Sequence, residues 1–180
     1  ISAFRLATEI DPNFADAHSA YAISLMHSST VVSLTQVPPE QWLEEVDRAL
    51  AAALAADPDN ARAHAGRALY FTRHDTDLEA SRMHGERAVE LAPNSAASRY
   101  ARSTAAIVRG DYAEARREMR QARLLDPLNI ILARVQSQQH LITGYPDDAL
   151  AFFEECLRTG CEGRTWSHFN LLEHALFVGD

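Results

Sequence analysis

Four prolines recur along the chain at nearly regular intervals, and this recurrence constrains the fold more than any other feature. Each follows an Ala-rich helical segment, and the intervals are 46, 35 and 34 residues between Pro12, Pro58, Pro93 and Pro127. A proline inside a helix costs about 3 kcal/mol, so each is expected to mark a helix end and the entry to the next helix. The spacing therefore predicts repeated helix-turn-helix units.

Small residues recur at two further positions of the unit, where helices are expected to touch. One row is Ala22, Ala68, Ser103 and Ser137, and the other is Ala7, Ala53, Ala88, Ala122 and Cys156. Helices are predicted at residues 1–10, 14–27, 40–56, 60–73, 78–92, 95–109, 112–125, 129–143, 146–159 and 165–178. Each pair has an apolar stripe that only stacking on neighbouring pairs can bury.

The unit from Ala96 to Asn129 carries the clearest motif. It contains Gly110-Asp111-Tyr112-Ala113-Glu114-Ala115, then Ala122, then Leu125-Asp126-Pro127. In this pattern the glycine allows a left-handed helix end and the aspartate caps the next helix. The sequence resembles the tetratricopeptide repeat. That resemblance implies an all-α fold, a right-handed superhelical solenoid of antiparallel helix pairs. It has about four full repeats plus a half repeat at each end, in a single domain over residues 1–180 that is a piece of a longer protein.

The chain departs from the repeat pattern in three places, one of which is after Cys156, where the Asp-Pro signal is missing. Residues 28–39 form an inserted loop within the first full repeat, and Gly85 stands where the family usually has a large apolar side chain. The insertion, together with Asp126-Pro127-Leu128-Asn129, is similar to the C-terminal repeat regions of bacterial signalling proteins, which include winged-helix regulators, adenylate cyclases and kinases. This second resemblance implies a regulatory role beside an effector domain.

Composition excludes several classes of protein. Apolar residues make up 47% and charged residues 23%, which is typical of a folded soluble chain. No stretch approaches the roughly 20 consecutive apolar residues of a membrane helix. The net charge of -8 argues against direct binding to nucleic acid. Two cysteines are too few for a disulfide scaffold, so a reducing cytoplasm is expected.

The histidines do not form a catalytic or metal-binding pattern. His18 and His64 fall at equivalent early positions of their helices, where packing is the expected role. His168, Glu173 and His174 do not have the H-E-x-x-H spacing of a zinc site. We therefore expect no catalytic residue, no metal and no cofactor.

The remaining polar and thiol groups have simpler explanations than chemistry. His74, Asp75 and Asp77 form a polar cluster that a solvated turn explains, in a unit one residue longer than standard. Cys156 replaces the small alanine of its row, and reactive thiols need an electropositive, accessible setting. Inert thiols are expected at both Cys156 and Cys161.

The resemblance implies that ligand contacts come from the first helix of each unit, on the concave face. The positions that correspond are Ser19, Ile23 and Met26; Arg62, Ala65, Leu69 and Thr72; Tyr100, Thr104 and Ile107; Arg134, Gln138 and Leu141; and Trp166, Phe169 and Glu173. Tyr100 and Phe169 would anchor a helix or an extended peptide, while Arg62 and Arg134 would meet its acidic groups. The alternative is that Ile107, Leu141 and Phe169 only pack between repeats.

Two further observations bear on binding. The Lys/Asn/Arg clamp with which some family members hold a C-terminal carboxylate is absent from these positions. Arg67, Arg102 and Gln136 share a position where the family prefers leucine, so they either extend their heads past the helix contact or recognise an anion.

The expected function is a non-catalytic interaction or regulatory module of a larger bacterial signalling or transcription-regulatory protein, with a protein or peptide partner and no membrane contact. Two alternatives remain open. One is a sensor of a small molecule or peptide that controls an attached effector. The other is self-association through the terminal half repeats.

Overall fold

The chain folds into stacked helix pairs. The computed structural model describes residues 1–27 and 39–159, and throughout these ranges the regular structure is helical. The α-helices there are α1 (Ser2–Ile10), α2 (Ala15–His27), α3 (Pro39–Ala56), α4 (Ala61–Tyr70), α5 (Leu78–Leu91), α6 (Ala96–Val108), α7 (Tyr112–Leu125), α8 (Ile130–Ile142) and α9 (Pro146–Thr159).

Successive helices pair, and the pairs stack. The pairs are α2 with α3, α4 with α5, α6 with α7, and α8 with α9, while α1 packs on α2 as a half unit. Helix α4 contacts both α2 and α6, so the first helices of the first three units form a continuous row. This is the all-α solenoid of helix pairs that the proline spacing predicts.

The predicted helices correspond closely to the observed ones. The largest difference is at 60–73, because α4 ends at Tyr70 and the chain continues as a π-helical turn over Phe71–Asp75. Pro39, the last residue of the predicted insertion, already begins α3. The rest of that insertion and the predicted helix at 165–178 lie outside the described residues.

Local side-chain caps explain why the helices begin where they do. The residue before each of five helices accepts a hydrogen bond from a backbone N–H in the first turn, which satisfies one of the free donors there: Asn60, Asp77, Ser95, Asp111 and Asn129. Gly110, with φ 79°, ends α6 in the left-handed conformation. The predicted roles of Gly110 and Asp111 are therefore confirmed.

The small residues lie at the helix contacts. Fully buried members of the two rows are Ala22, Ala68, Ser103, Ser137, Ala53, Ala88 and Ala122. The Ser103 Oγ hydroxyl donates to the Ala115 carbonyl oxygen at 2.8 Å, which ties α6 to α7. Substituting Ala122 by leucine would overpack its contact at a cost of about 1–3 kcal/mol.

The glycine at position 85 has a packing role. A β-carbon there would lie 3.2 Å from the Arg102 α-carbon, because α5 and α6 approach each other backbone to backbone. Where the family usually buries a large side chain, this unit instead brings two helices together.

The π-helical turn after α4 holds the extra residue of its unit. It ends at Thr76, which has a φ of 56°, a left-handed conformation that is unusual for a β-branched residue. The Asp77 carboxylate then caps α5 by accepting from the Ala80 N–H at 2.9 Å. None of the helices in the two described ranges is both long and apolar enough to cross a membrane.

Candidate functional site

Burial divides the predicted contact residues into two groups. Met26, Leu69, Tyr100 and Leu141 are buried in the core between helices, as are Ser19 and Ala65. Partly or fully exposed members are Ile23, Arg62, Thr72, Thr104, Ile107, Arg134 and Gln138. Phe169, Trp166 and Glu173 lie outside the described residues. A partner can reach the partly or fully exposed residues without any repacking of the helices.

A charged residue from the turn after α4 reaches Tyr100 on α6. Arg73, which follows α4, donates a hydrogen bond to the Tyr100 hydroxyl on α6. Burial lowers the pKa of His27 at the end of α2, and the charges of Arg73 and Arg134 lower it further. Arg73 and Arg134 are thus near enough to His27 to act on its charge, and Arg73 also bonds Tyr100. We call His27, Arg73, Tyr100 and Arg134 together the inner basic centre.

Sequence reasoning found only part of this centre. Tyr100 and Arg134 were among the predicted contact residues, whereas His27 and Arg73 were not. Arg73 directly follows Thr72 of the predicted row, and the π-helical turn redirects the chain there. A register based on standard repeat length misses it for that reason.

Arg62 lies apart from the inner basic centre and is held locally. Its Nη1 lies 3.6 Å from the Asp16 Oδ1 on α2, and the same carboxylate oxygen accepts from the Asn60 Nδ2 at 3.1 Å. Both sides of the ion pair are half-exposed, so its contribution to stability is small. Asp16 thus links the first and second units at the surface.

The arginines that replace leucine are ion-paired within the chain. Arg67 bonds the Asp47 carboxylate on α3, and Arg102 Nε donates to the Glu114 Oε1 on α7 at 2.7 Å. Both heads extend to a carboxylate on a neighbouring helix, which agrees with the expectation of extended heads, and Glu114 also lies within ion-pair distance of Arg109 and Arg117. Gln136, the third member of that position, lines a cleft between α7 and α8.

The two early histidines close the proline turns. His18 Nε2 lies 2.9 Å from the Pro12 carbonyl oxygen, and His64 Nε2 lies 3.0 Å from that of Pro58. A carbonyl only accepts, so Nε2 carries the proton in both rings. In the third unit Arg99 Nε donates to the Pro93 carbonyl at 2.9 Å. A structural role explains both histidines.

The polar cluster at the turn after α4 also has a structural role. His74 packs edge-on against the Trp42 ring at 5.5 Å, and burial lowers its pKa. Asp75 is exposed and Asp77 is the cap of α5. Among the described residues no three His, Cys, Asp or Glu side chains are placed to hold a metal ion. The side chain of Cys156, and all of Cys161, His168 and His174, lie outside what the structure describes.

Comparisons with known proteins identify the fold of this chain. Neither the protein-family models nor the curated proteins give a match to this chain. Among solved structures, PilW, a widely conserved type IV pilus biogenesis factor, has a TM-score of 0.71 at 13% identity, with 99% of this chain and 76% of that one covered.

Two further solved structures are similar over nearly the whole chain. TTC0263, a thermophilic TPR protein in Thermus thermophilus, has a TM-score of 0.70 at 16% identity, with 97% of this chain and 87% of that one covered. Pseudomonas aeruginosa pilF has a TM-score of 0.61 at 19% identity, covering 98% of this chain and 74% of that one. At these identities the likeness is one of fold: the chain has the tetratricopeptide-repeat solenoid fold.

Proposed function

We propose that the chain is a non-catalytic protein-binding module of a larger bacterial signalling or transcription-regulatory protein in the cytoplasm. Its inner surface holds a peptide or a partner helix. The fold supports binding, because stacked helix pairs present an extended surface along the row of first helices. The resemblance of residues 28–39 and 126–129 to signalling proteins supports the regulatory setting.

The inner basic centre is the observation that carries this proposal. The chain has a net charge of -8, yet Arg73 bonds the Tyr100 hydroxyl, and the positive charges of Arg73 and Arg134 both act on His27. Local positive charge on an acidic protein favours an acidic group of the partner and steers its approach. Half-exposed Ile107 and Thr104 on α6 offer apolar and polar contacts beside it.

Selection from a displayed library of random peptides tests this function. The expected peptides combine an acidic residue with an apolar one, and the double variant Arg73→Gln, Arg134→Gln should lose them. The matched control is Arg5→Gln with Arg48→Gln, which removes the same charge from exposed positions of α1 and α3. Peptides that bind the two double variants equally, or that carry no acidic residue, would contradict the proposed surface.

Self-association is a second candidate function, favoured by the apolar side chains that α1 leaves exposed. Phe4 is 41% exposed, Leu6 55% and Ile10 75%. Light scattering across a wide concentration range tests it. A dimer that Ile10→Glu dissociates would support this candidate, and a monomer at every concentration would rule it out.

A further inference from the structure

A cleft with arginine and glutamine side chains in its lining separates α7 from α8, between the third and fourth units. Its outer part has a volume of about 370 Å³ and is lined by Arg120, Arg123, Leu124 and Gln136. Its inner part is a cavity of about 10 Å³ lined by Arg116, Met119, Arg120, Gln136, Gln139 and His140. Arg120 and Gln136 line both parts, so the two lie next to each other. None of these residues belongs to the inner basic centre.

The buried end of the cleft presents a hydrogen-bond acceptor. Gln139 is 4% exposed, and its Nε2 donates to the Ser103 Oγ at 2.9 Å. Ser103 has a single hydroxyl hydrogen, which it donates to the Ala115 carbonyl at 2.8 Å, so its Oγ must accept from Gln139. This fixes the orientation of the amide.

The other half of that amide is unsatisfied. Gln139 Oε1 is buried and has no hydrogen-bond partner within the part of the chain that the structure describes. A buried acceptor left unpaired costs about 1–3 kcal/mol, so this atom calls for a donor that enters from the cleft.

Basic residues line both parts of the cleft: Arg120 and Arg123 line the outer part, and Arg116 and Arg120 line the inner part. Arg116, Arg120 and Arg123 share one face of α7 because they are spaced by four and three residues. The Arg116 guanidinium lies 4.2 Å from the centre of the Tyr145 ring, which holds it in place. Arg120 is exposed, and none of the carboxylates whose side chains the structure describes lies within ion-pair distance of it.

The charges that act on His140, which lines the inner part of the cleft, agree with the position of Arg116 and Arg120 beside it. Burial lowers the pKa of His140, and the positive charges of Arg116 and Arg120 lower it further, whereas Asp148 acts in the opposite direction. The Asp148 Oδ2 lies 3.8 Å from the His140 Nδ1. Asp148 does not line either part of the cleft.

These features together restrict the chemistry of a ligand that the cleft can bind. Arginines in the lining require negative charge, and an acceptor at the buried end requires an O–H or N–H. The inner part has room for about one water-sized group, so only one atom of the ligand enters it. Sulfate has no proton at neutral pH, and a phosphate monoester loses its last one at a pKa of about 6. Inorganic hydrogenphosphate keeps a P–O–H throughout the neutral range.

We propose that the cleft between α7 and α8 binds hydrogenphosphate. Arg120 holds its charged oxygens in the outer part, and its P–O–H group donates to Gln139 Oε1 in the inner part. The bound anion bridges the third and fourth units, so it stabilises their stacking. This site goes beyond the proposed function and does not depend on it.

Titration calorimetry and thermal unfolding with sodium phosphate and sodium sulfate, at pH 7.5 and matched ionic strength, test the site. Phosphate is expected to bind and to raise the melting temperature, with sulfate at least about 10-fold weaker because it cannot donate to Gln139. Losing one charge-assisted contact in Arg120→Gln should weaken phosphate binding by about 10-fold. Arg48→Gln, which removes an equal charge from an exposed site on α3, should leave it unchanged.

Gln139→Met tests the acceptor directly. It removes Oε1 with little change in volume, so it should abolish the preference for phosphate over sulfate. Three results would overturn the proposal: phosphate and sulfate acting alike on the original protein, Arg120→Gln and Arg48→Gln weakening binding equally, or selectivity that persists in Gln139→Met. Any of them would mean that the cleft has no selective hydrogenphosphate site.

Discussion

The junction between α5 and α6 and the junction between α7 and α8 lie at equivalent places in successive units, yet they are packed in opposite ways. At the first, Gly85 lets the backbones meet, since a β-carbon added to it would lie only 3.2 Å from the Arg102 α-carbon. At the second, Met119 stands in place of the glycine and Gln136 in place of Arg102, and a cleft remains. The repeat fixes where helices meet, whereas side-chain size and polarity fix how closely.

Truncating Met119 should give the largest effect, because it enlarges the cleft at the looser junction. Met119 is 1% exposed, so Met119→Ala is expected to cost about 2–5 kcal/mol in the free energy of unfolding. Urea denaturation measures it. Met83→Ala on α5 is the matched control, since Met83 is 53% exposed and should change stability by less than about 0.5 kcal/mol. Equal costs for the two variants would mean that Met119 is not a packing residue.

Overfilling the tighter junction should give the next largest effect. Gly85→Leu is expected to cost about 1–3 kcal/mol, because its neighbour is the Arg102 backbone, which cannot move without shifting α6. Gly66→Ala provides the comparison: its β-carbon would meet the Leu50 Cδ2 at 2.6 Å, and that methyl group can rotate away. If Gly66→Ala costs as much as Gly85→Leu, the close approach of α5 and α6 is not the cause.

Removing the unpaired acceptor should make the looser junction more stable. In phosphate-free buffer Gln139→Met is expected to raise the free energy of unfolding by about 1 kcal/mol, because Oε1 no longer has to be buried without a donor. Gln138→Met, at the half-buried neighbouring position, should have little effect. A loss of stability in Gln139→Met would show that the bond to Ser103 outweighs the unpaired oxygen.

Acid should weaken the protein through its half-buried histidines. Burial, together with the charges of His64 and Arg67, lowers the pKa of His84 on α5 from 6.5 to about 4. The unfolded chain therefore takes up a proton that the folded chain refuses, so stability is full above pH 6.5 and is lost as the pH falls toward 4.

The pKa of His140 on α8 is lowered in the same direction, so the two units can be compared. Thermal unfolding of the variants His84→Phe and His140→Phe, measured between pH 4 and pH 7, gives the contribution of each histidine to the acid sensitivity. We expect the flatter profile from His84→Phe, because the variant removes the group whose pKa is lowered to about 4. Its new ring can still stack on Phe71. A profile unchanged in both variants would assign the acid sensitivity to other groups.

The helices could be predicted from the sequence because their signals are local. Prolines end helices, Asn, Asp and Ser cap the next ones, and small residues mark contacts within a few turns. The rows through Ala68 and Ala122 were found in this way, and both residues are fully buried.

The contact surface could be predicted only in part, because it depends on how far each unit rotates on the one before. Leu69 and Leu141 were placed on the ligand face by register, yet the stacked helices bury them. The cleft depends on Ser103 and Gln139, which are 36 residues apart and joined by one hydrogen bond. No local pattern could have indicated that pair.

The π-helical turn at Phe71–Asp75 bears on how such a chain changes during evolution. The unit that contains it is one residue longer than the 34-residue interval that follows, and the surplus is taken up at the turn. Ala68 before it and Ser103 in the next unit are both fully buried, so the added residue left the helix contacts in place. Insertions and deletions of one residue are therefore tolerated at such turns, whereas the same change within α6 would rotate every later side chain by about 100°.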